Sequence, residues 1–258
     1  MKIFLLKPSA EIPAVNLKIE RVKAILNQSG HVVVEQALNK CFFSQIIAEK
    51  PDVVFNLANI FEWKNTSYIP AILEIAAVPY TGSGFLALSL SRNPTKLLPL
   101  FEKSGVRLPP YKVMPAAQAI STHGLRFPLD LCRDGYPEDI CLPDEPALMN
   151  ALKKLPREEQ VTLREHPHEK TRSVFILDST VLPNSTASAL FSPALTTYRL
   201  LEARGLMRLD FTVSNEPVLV NINAAPDPLE EVFTVAASSA GWDDQKIIQT
   251  IIEHAGRD

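Results

Sequence analysis

Apolar residues recur along this chain with two different periods, and each change of period marks a new element. Lys2 to Leu6 is a short apolar run of the buried-strand type. Val15, Ile19, Val22 and Leu26 share one helical face across 15–27, and Gly30 ends that helix. HVVVEQ (31–36) predicts a second strand, SQIIAEK (44–50) a short helix, and PDVVFNL (51–57) a third strand with Pro51 outside its interior. SYIPAILEIAAV (67–78) reads as a helix and VPYTGSG (78–84) as a strand followed by a turn. Strands alternating with helices imply an open parallel sheet covered on both faces.

From there the pattern shifts. Thr95 to Ser104 predicts an amphipathic helix closed by Gly105, and VRLPPYKVMP must be extended because its prolines cannot continue a helix. FPLDLCRD, ICLP, QVTLREH and RSVFIL read as strands, and DEPALMNALKKL as a helix capped by Asp144. A polar loop, NSTASALFSP, precedes a helix from Ala194 to Arg204, and a last helix runs from Asp243 to His254. Between those two helices, Leu209–Val213 and Val218–Asn223 form a hairpin around the turn residues 214–217. With Val213 opposite Val218, Asp210 falls across from Asn221, and Asn223 shares their face. The expected fold class is α/β and α+β: an N-terminal open parallel sheet (1–91), then two α+β domains (92–178 and 179–258).

Composition narrows the classes of function. An apolar content of 46% with 21% charged residues suits a globular chain, and a net charge of −3 offers no reason to expect nucleic acid or an anionic membrane as partner. The opening MKIFLLKPSA is too short an apolar run for a signal peptide, and the long apolar region 69–90 is interrupted by Glu74, Pro79 and two glycines, so a cytoplasmic chain is expected. Cys41, Cys132 and Cys141 lack disulfide or zinc-ribbon spacing and are read as buried, inert thiols. No glycine-rich phosphate loop of the G-x-G-x-x-G or Walker type is present. His166 and His168 in EHPHE have the one-face spacing of transition-metal ligands, but no third ligand has a clear place, so they are read as a solvated strand end. Trp63 and Trp242 are read as packing residues.

Five segments carry more than composition does: PDVVFNL (51–57), IPAILEIAAVPYTGSG (69–84) with TKLL (95–98), GVRLPPYKV (105–113), GLMRLDF (205–211) and VLVNINAAPDP (218–228). Together, and in this order, they resemble the D-alanine–D-alanine ligases of the ATP-grasp superfamily, with weaker matches at Ser9-Ala10-Glu11 and FPL (127–129). The resemblance implies ATP-grasp architecture, ATP and Mg2+ as cofactors, and an enzyme that phosphorylates a carboxylate and couples the acyl phosphate to an amine. It further implies Arg208 as the oxyanion-stabilising arginine and Glu11 as the amine-side carboxylate. Arg92, Lys96 and Glu165 take nucleotide-binding positions, and Asp210 and Asn223 are metal ligands, with Asn221 where the family has glutamate.

The departures concentrate on phosphate and metal. Cys132 occupies the position of the second phosphate lysine, DGYPEDI with Asp134, Glu138 and Asp139 replaces the glycine-rich flap, Arg164 replaces the first nucleotide-side glutamate, and Asp227 replaces a glycine of the substrate loop. Two readings follow. One is a ligase-like protein with weak or absent activity of its own, acting as a homodimer or as a heterodimer with an active paralogue. The other is an active, divergent ligase with an altered amino-acid or peptide substrate.

Overall fold

The computed structural model describes residues 1–10, 12–61, 67–119, 124–136, 139–182, 188–213 and 215–255. Along the chain it contains β1 (Lys2–Lys7), α1 (Pro13–Gln28), β2 (Val32–Ala37), α2 (Phe42–Glu49), β3 (Val53–Asn56), α3 (Ala58–Phe61), α4 (Tyr68–Ile75), α5 (Phe85–Ser91) and α6 (Pro94–Leu100). Next come β4 (Tyr111–Pro115), β5 (Leu129–Cys132), β6 (Ile140–Leu142), α7 (Glu145–Leu152), β7 (Gln160–Glu165), β8 (Thr171–Leu177) and β9 (Thr180–Val181). The chain closes with α8 (Phe191–Leu200), β10 (Leu206–Val213), β11 (Pro217–Asn223), α9 (Glu231–Ser239) and α10 (Asp244–Glu253). Two compact units result, one of Met1–Leu88, Ser173–Arg208 and Asn223–Asp258, the other of Ser89–Arg172 and Leu209–Ile222.

In the first unit, β2, β1 and β3 form the expected parallel sheet, with Ile3 beside both Val33 and Val53. Successive side chains of β1 point to opposite faces, so each face needs its own cover. Ile3 and Leu5 pack with Ile19 and Leu26 of α1, Phe233 of α9 and Ile247 of α10. Phe4 and Leu6 pack with Phe42 and Ile46 of α2 and with Ile69 and Leu73 of α4. Phe175 of β8 and Phe233 meet at a ring-centroid distance of 4.8 Å, which anchors the helix that the chain reaches only after its hairpin.

The second unit holds an antiparallel sheet of order β4-β7-β5-β6. One face is apolar: Leu129, Leu131, Val161 and Leu163 bury against Leu148 and Leu152 of α7. Asp144 caps that helix as expected, its carboxylate accepting from Ala147 N at 2.9 Å. The remaining sheet has the order β11-β10-β8-β9.

Several elements differ from the sequence expectation. The strand expected at VPYTGSG is a single bridge between Val54 and Tyr80. The helix expected over 194–204 runs instead from Phe191 to Leu200, because Glu202 takes a left-handed backbone (φ 49°) that stops it. Neither α3, α5, α9 nor β9 shows a period in the sequence: FLALSLS (85–91) is apolar on every side, and EVFTVAASS (231–239) is rich in small and β-branched residues.

Gly205 introduces β10 with φ +64°, and a Cβ there would lie 3.1 Å from the backbone of Gly82. Left-handed backbone alone costs a side chain roughly 1–2 kcal/mol. Gly205→Ala is therefore expected to lower stability by about 2 kcal/mol, read as a lower urea midpoint at unchanged m-value. Gly30→Ala is the control: its φ of +80° is similar, but nothing stands within 4 Å of the added carbon, so its loss should be the smaller one.

Candidate functional site

The face of the β4-β7-β5-β6 sheet opposite α7 is buried but polar. Register sets Asp130 beside Arg164 and Cys132 beside Thr162, and alternation puts all four on this face. Asp130, Cys132 and Thr162 are each less than 5% exposed. Arg164 is the centre of the arrangement. Its Nη2 donates to Asp130 Oδ2 at 3.0 Å and to Asp139 Oδ2 at 2.8 Å, and its Nη1 donates to the Val220 carbonyl at 2.6 Å. On the other oxygen of Asp130, His166 Nδ1 lies 2.7 Å away. Burial works against the charge on Arg164, but neighbouring acidic groups, Asp139 and Asp130 among them, outweigh it and hold the guanidinium pKa above its ordinary value. Burial pushes the Cys132 thiol up, against the pull of Arg164, so it is a neutral thiol at physiological pH.

The hairpin brings Asp210 and Asn221 together as the register count expects, Asn221 Nδ2 donating to Asp210 Oδ2 at 2.8 Å. An amide donor therefore stands against the carboxylate where the family resemblance expects a second carboxylate. Asn223 is engaged in its own turn, its Oδ1 accepting from Ala225 N at 3.0 Å. Arg208 Nη1 reaches both oxygens of Glu230, at 3.1 and 3.3 Å. Asp227, in the glycine position, accepts from Leu229 N at 2.9 Å and is ion-paired with Lys18. The pairing answers the charge that the substitution introduces.

The residues that the resemblance assigns to nucleotide are likewise tied to protein groups. Lys96 pairs with Asp134 at 2.8 Å, and that carboxylate also accepts from Thr95 N at 3.0 Å. Arg92 is 5% exposed, and burial lowers its pKa to about 10, still charged at neutral pH. Its carbonyl accepts from Gly135 N at 2.7 Å. Glu165 follows Arg164 in β7 and so faces the other side of the sheet, where Arg126 binds it through both its backbone N–H, at 3.0 Å, and its guanidinium. Arg133 also turns away from Cys132, as alternation requires, to Glu159 at 2.8 Å. Glu11, Trp63 and Glu138 lie outside the described residues, as does much of NSTASALFSP. The expectation of uniformly buried thiols is corrected: Cys132 is buried, but Cys41, at the start of α2, and Cys141, on the edge strand β6, are exposed.

Two participants escaped the sequence reading. Asp130 announces itself only as the one charge in Leu-Asp-Leu-Cys, and Glu230 only as the residue before α9. Within the first unit, a narrow cleft of about 30 Å³ is lined by Asn56, Asn59, Thr81, Ser83, Leu206 and Pro226, among others. Asn56 Nδ2 is buried there with no hydrogen-bond partner among the described residues, a donor that suits a single water-sized oxygen acceptor.

None of the described helices is long and apolar enough to cross a membrane, and no protein-family model matches the chain. The D-alanine–D-alanine ligase of Moorella thermoacetica is 26% identical over 91% of this chain and 92% of its own length. That of Aquifex aeolicus is 24% identical over 90% and 92%. The D-alanine–D-alanine ligase of Anaeromyxobacter dehalogenans is 35% identical, over 40% of this chain and about a third (34%) of that protein. Among solved structures, the Bacillus anthracis D-alanine–D-alanine ligase complexed with ATP has a TM-score of 0.80 at 17% identity, covering 98% of this chain and 97% of the other. At that identity the structural likeness speaks for the fold, and the full-length sequence relatives extend it: the chain is a D-alanine–D-alanine ligase-like protein of the ATP-grasp superfamily.

Proposed function

We propose that this chain keeps the ligase architecture but has weak or no ligation activity of its own. One observation carries the reading: the cation on the buried polar face of the central sheet, Arg164, is already matched by Asp130 and Asp139. A triphosphate needs positive charge that is not already neutralised, and breaking a buried pair to obtain it is costly. Lys96, Arg208 and Arg133 have carboxylate partners as well. The metal position argues the same way. Mg2+ prefers carboxylate and water oxygens in near-octahedral array, whereas Asp210 is met by the amide N–H of Asn221. The donor set does not fit a pair of magnesium ions bridging nucleotide phosphates.

A second reading, an active divergent ligase for another amino acid or peptide, is favoured by the retention of Arg208 and Asp210. In either reading we place the protein in the cytoplasm, as a homodimer or a heterodimer with an active paralogue. Calorimetric titration with ATP, with and without Mg2+, separates the two, alongside phosphate release on a panel of amino acids. The expected result is no magnesium-dependent binding tighter than about 1 mM, or roughly −4 kcal/mol, and no phosphate release above blank. Magnesium-dependent ATP binding with amino-acid-stimulated turnover would replace the first reading by the second.

A further inference from the structure

We infer that Asp130, Cys141 and His166 form a binding site for Zn2+ or another thiophilic divalent cation. The argument is independent of nucleotide. Their potential ligand atoms, one from each residue, all lie within 4.8 Å of one another. Each comes from a different neighbouring strand or strand end. Asp130 of β5 is paired directly with Cys141 of β6 and with Arg164 of β7, and His166 lies two residues beyond Arg164, on the same face. The His166 N–H bonds to the Pro128 carbonyl at 2.9 Å, so the backbone beneath the imidazole continues the sheet pairing. Here the H-x-H spacing finds the ligands that sequence alone did not provide, and they accompany His166 rather than His168.

The donor set chooses the ion. A thiolate, an imidazole and a carboxylate are zinc ligands, and the thiolate disfavours Mg2+ and Ca2+. Bond lengths of about 2.0–2.3 Å place tetrahedral ligand atoms roughly 3.3–3.8 Å apart. Cys141 must therefore close in by up to about 1 Å, which its exposed side chain at the sheet edge can supply, while Asp130 Oδ1 and His166 Nδ1, 2.7 Å apart, must open slightly. Charge also balances. Zn2+ with the Asp130 carboxylate and the Cys141 thiolate sums to zero, while Arg164 retains Asp139 as its counter-charge. On binding, the Cys141 thiol releases one proton to solvent. The imidazole remains neutral, with its proton on Nε2 when Nδ1 is the ligand. Three protein ligands leave a fourth, open position.

The test uses the full chain, stripped with a chelator and titrated with Co2+ as a spectroscopic stand-in and with Zn2+ by calorimetry. One equivalent of Co2+ should give the intense visible bands of a tetrahedral ion and a thiolate charge-transfer band, and millimolar Mg2+ should leave both in place. Cys141→Ser should abolish the charge-transfer band, and either Cys141→Ser or His166→Ala should weaken Zn2+ at least about 100-fold, since even removing an outer hydrogen-bond partner of a ligand costs 10–100-fold. Cys41→Ser is the control and should change nothing. In the unsubstituted chain, Zn2+ should protect Cys141 from alkylation while Cys41 stays reactive. Failure to bind one equivalent, a weak octahedral spectrum, displacement by Mg2+, or equal protection of the two thiols overturns the site.

Discussion

Asp130→Ala is expected to cost about 3 kcal/mol of folding stability, the low end of the range for removing one partner of a buried ion pair. Asp130 has a side chain only 6% exposed, and it holds two cationic or potentially cationic groups at once, Arg164 at 3.0 Å and His166 at 2.7 Å. Without it, a guanidinium whose side chain is 13% exposed keeps only Asp139 and the Val220 carbonyl. Those two contacts place the cost at the low end rather than higher. The comparison that identifies the mechanism is Asp139→Ala. Its side chain is 41% exposed, water can replace it, and the expected loss is below about 1 kcal/mol. Chemical denaturation with a chelator present measures both, so that no bound ion contributes. Equal losses in the two variants would mean that Arg164 is solvated more than its burial implies. Asp130→Asn should fall between them, because the amide keeps the shape and one acceptor while surrendering the charge.

How much of this was legible beforehand depends on separation along the chain. The parallel sheet with helices on both faces followed from period alone, because VVVEQ, VVFNL and their intervening helices are local patterns. Asp210 against Asn221 followed from counting across a short turn. Counting fails once the partner lies elsewhere in the sequence. Arg164 was visible as an exchange against the family pattern, but Asp130 lies 34 residues away, and only the β5–β7 register puts the two side by side. Asp227 read as a carboxylate opposing a carboxylate substrate, whereas its partner Lys18 is 209 residues distant, in α1. Helices α5 and α9 were missed for another reason: one carries apolar residues round its whole circumference and the other is built largely from small residues, so neither has a single apolar stripe to set a period.

The sheet register also changes what a restoration experiment must contain. Against the family pattern, position 132 has lost a lysine and position 164 has exchanged a glutamate for an arginine, and the two positions occupy the same face of adjoining strands, on a diagonal that long side chains can span. The cation has in effect moved from β5 to β7. Cys132→Lys alone would therefore set a buried ammonium beside Arg164 at a position only 2% exposed, and a loss of about 3–5 kcal/mol is expected. Arg164→Glu alone would gather a third carboxylate beside Asp130 and Asp139, and should destabilise as well. Combined, the two changes pair Lys with Glu across the diagonal. A double-mutant cycle should return a favourable coupling of about 1–3 kcal/mol, the range measured for interacting neighbours. Adding Asn221→Glu supplies the missing carboxylate opposite Asp210, and magnesium-dependent ATP binding should then tighten at least about 10-fold, or 1.4 kcal/mol, relative to the unsubstituted chain. A favourable coupling without a gain in nucleotide binding would mean that the charge exchange is real but that the surrounding loops no longer admit the nucleotide. An absent coupling would remove the charge exchange itself and leave the reading to rest on the pairing of Arg164 with Asp130 and Asp139.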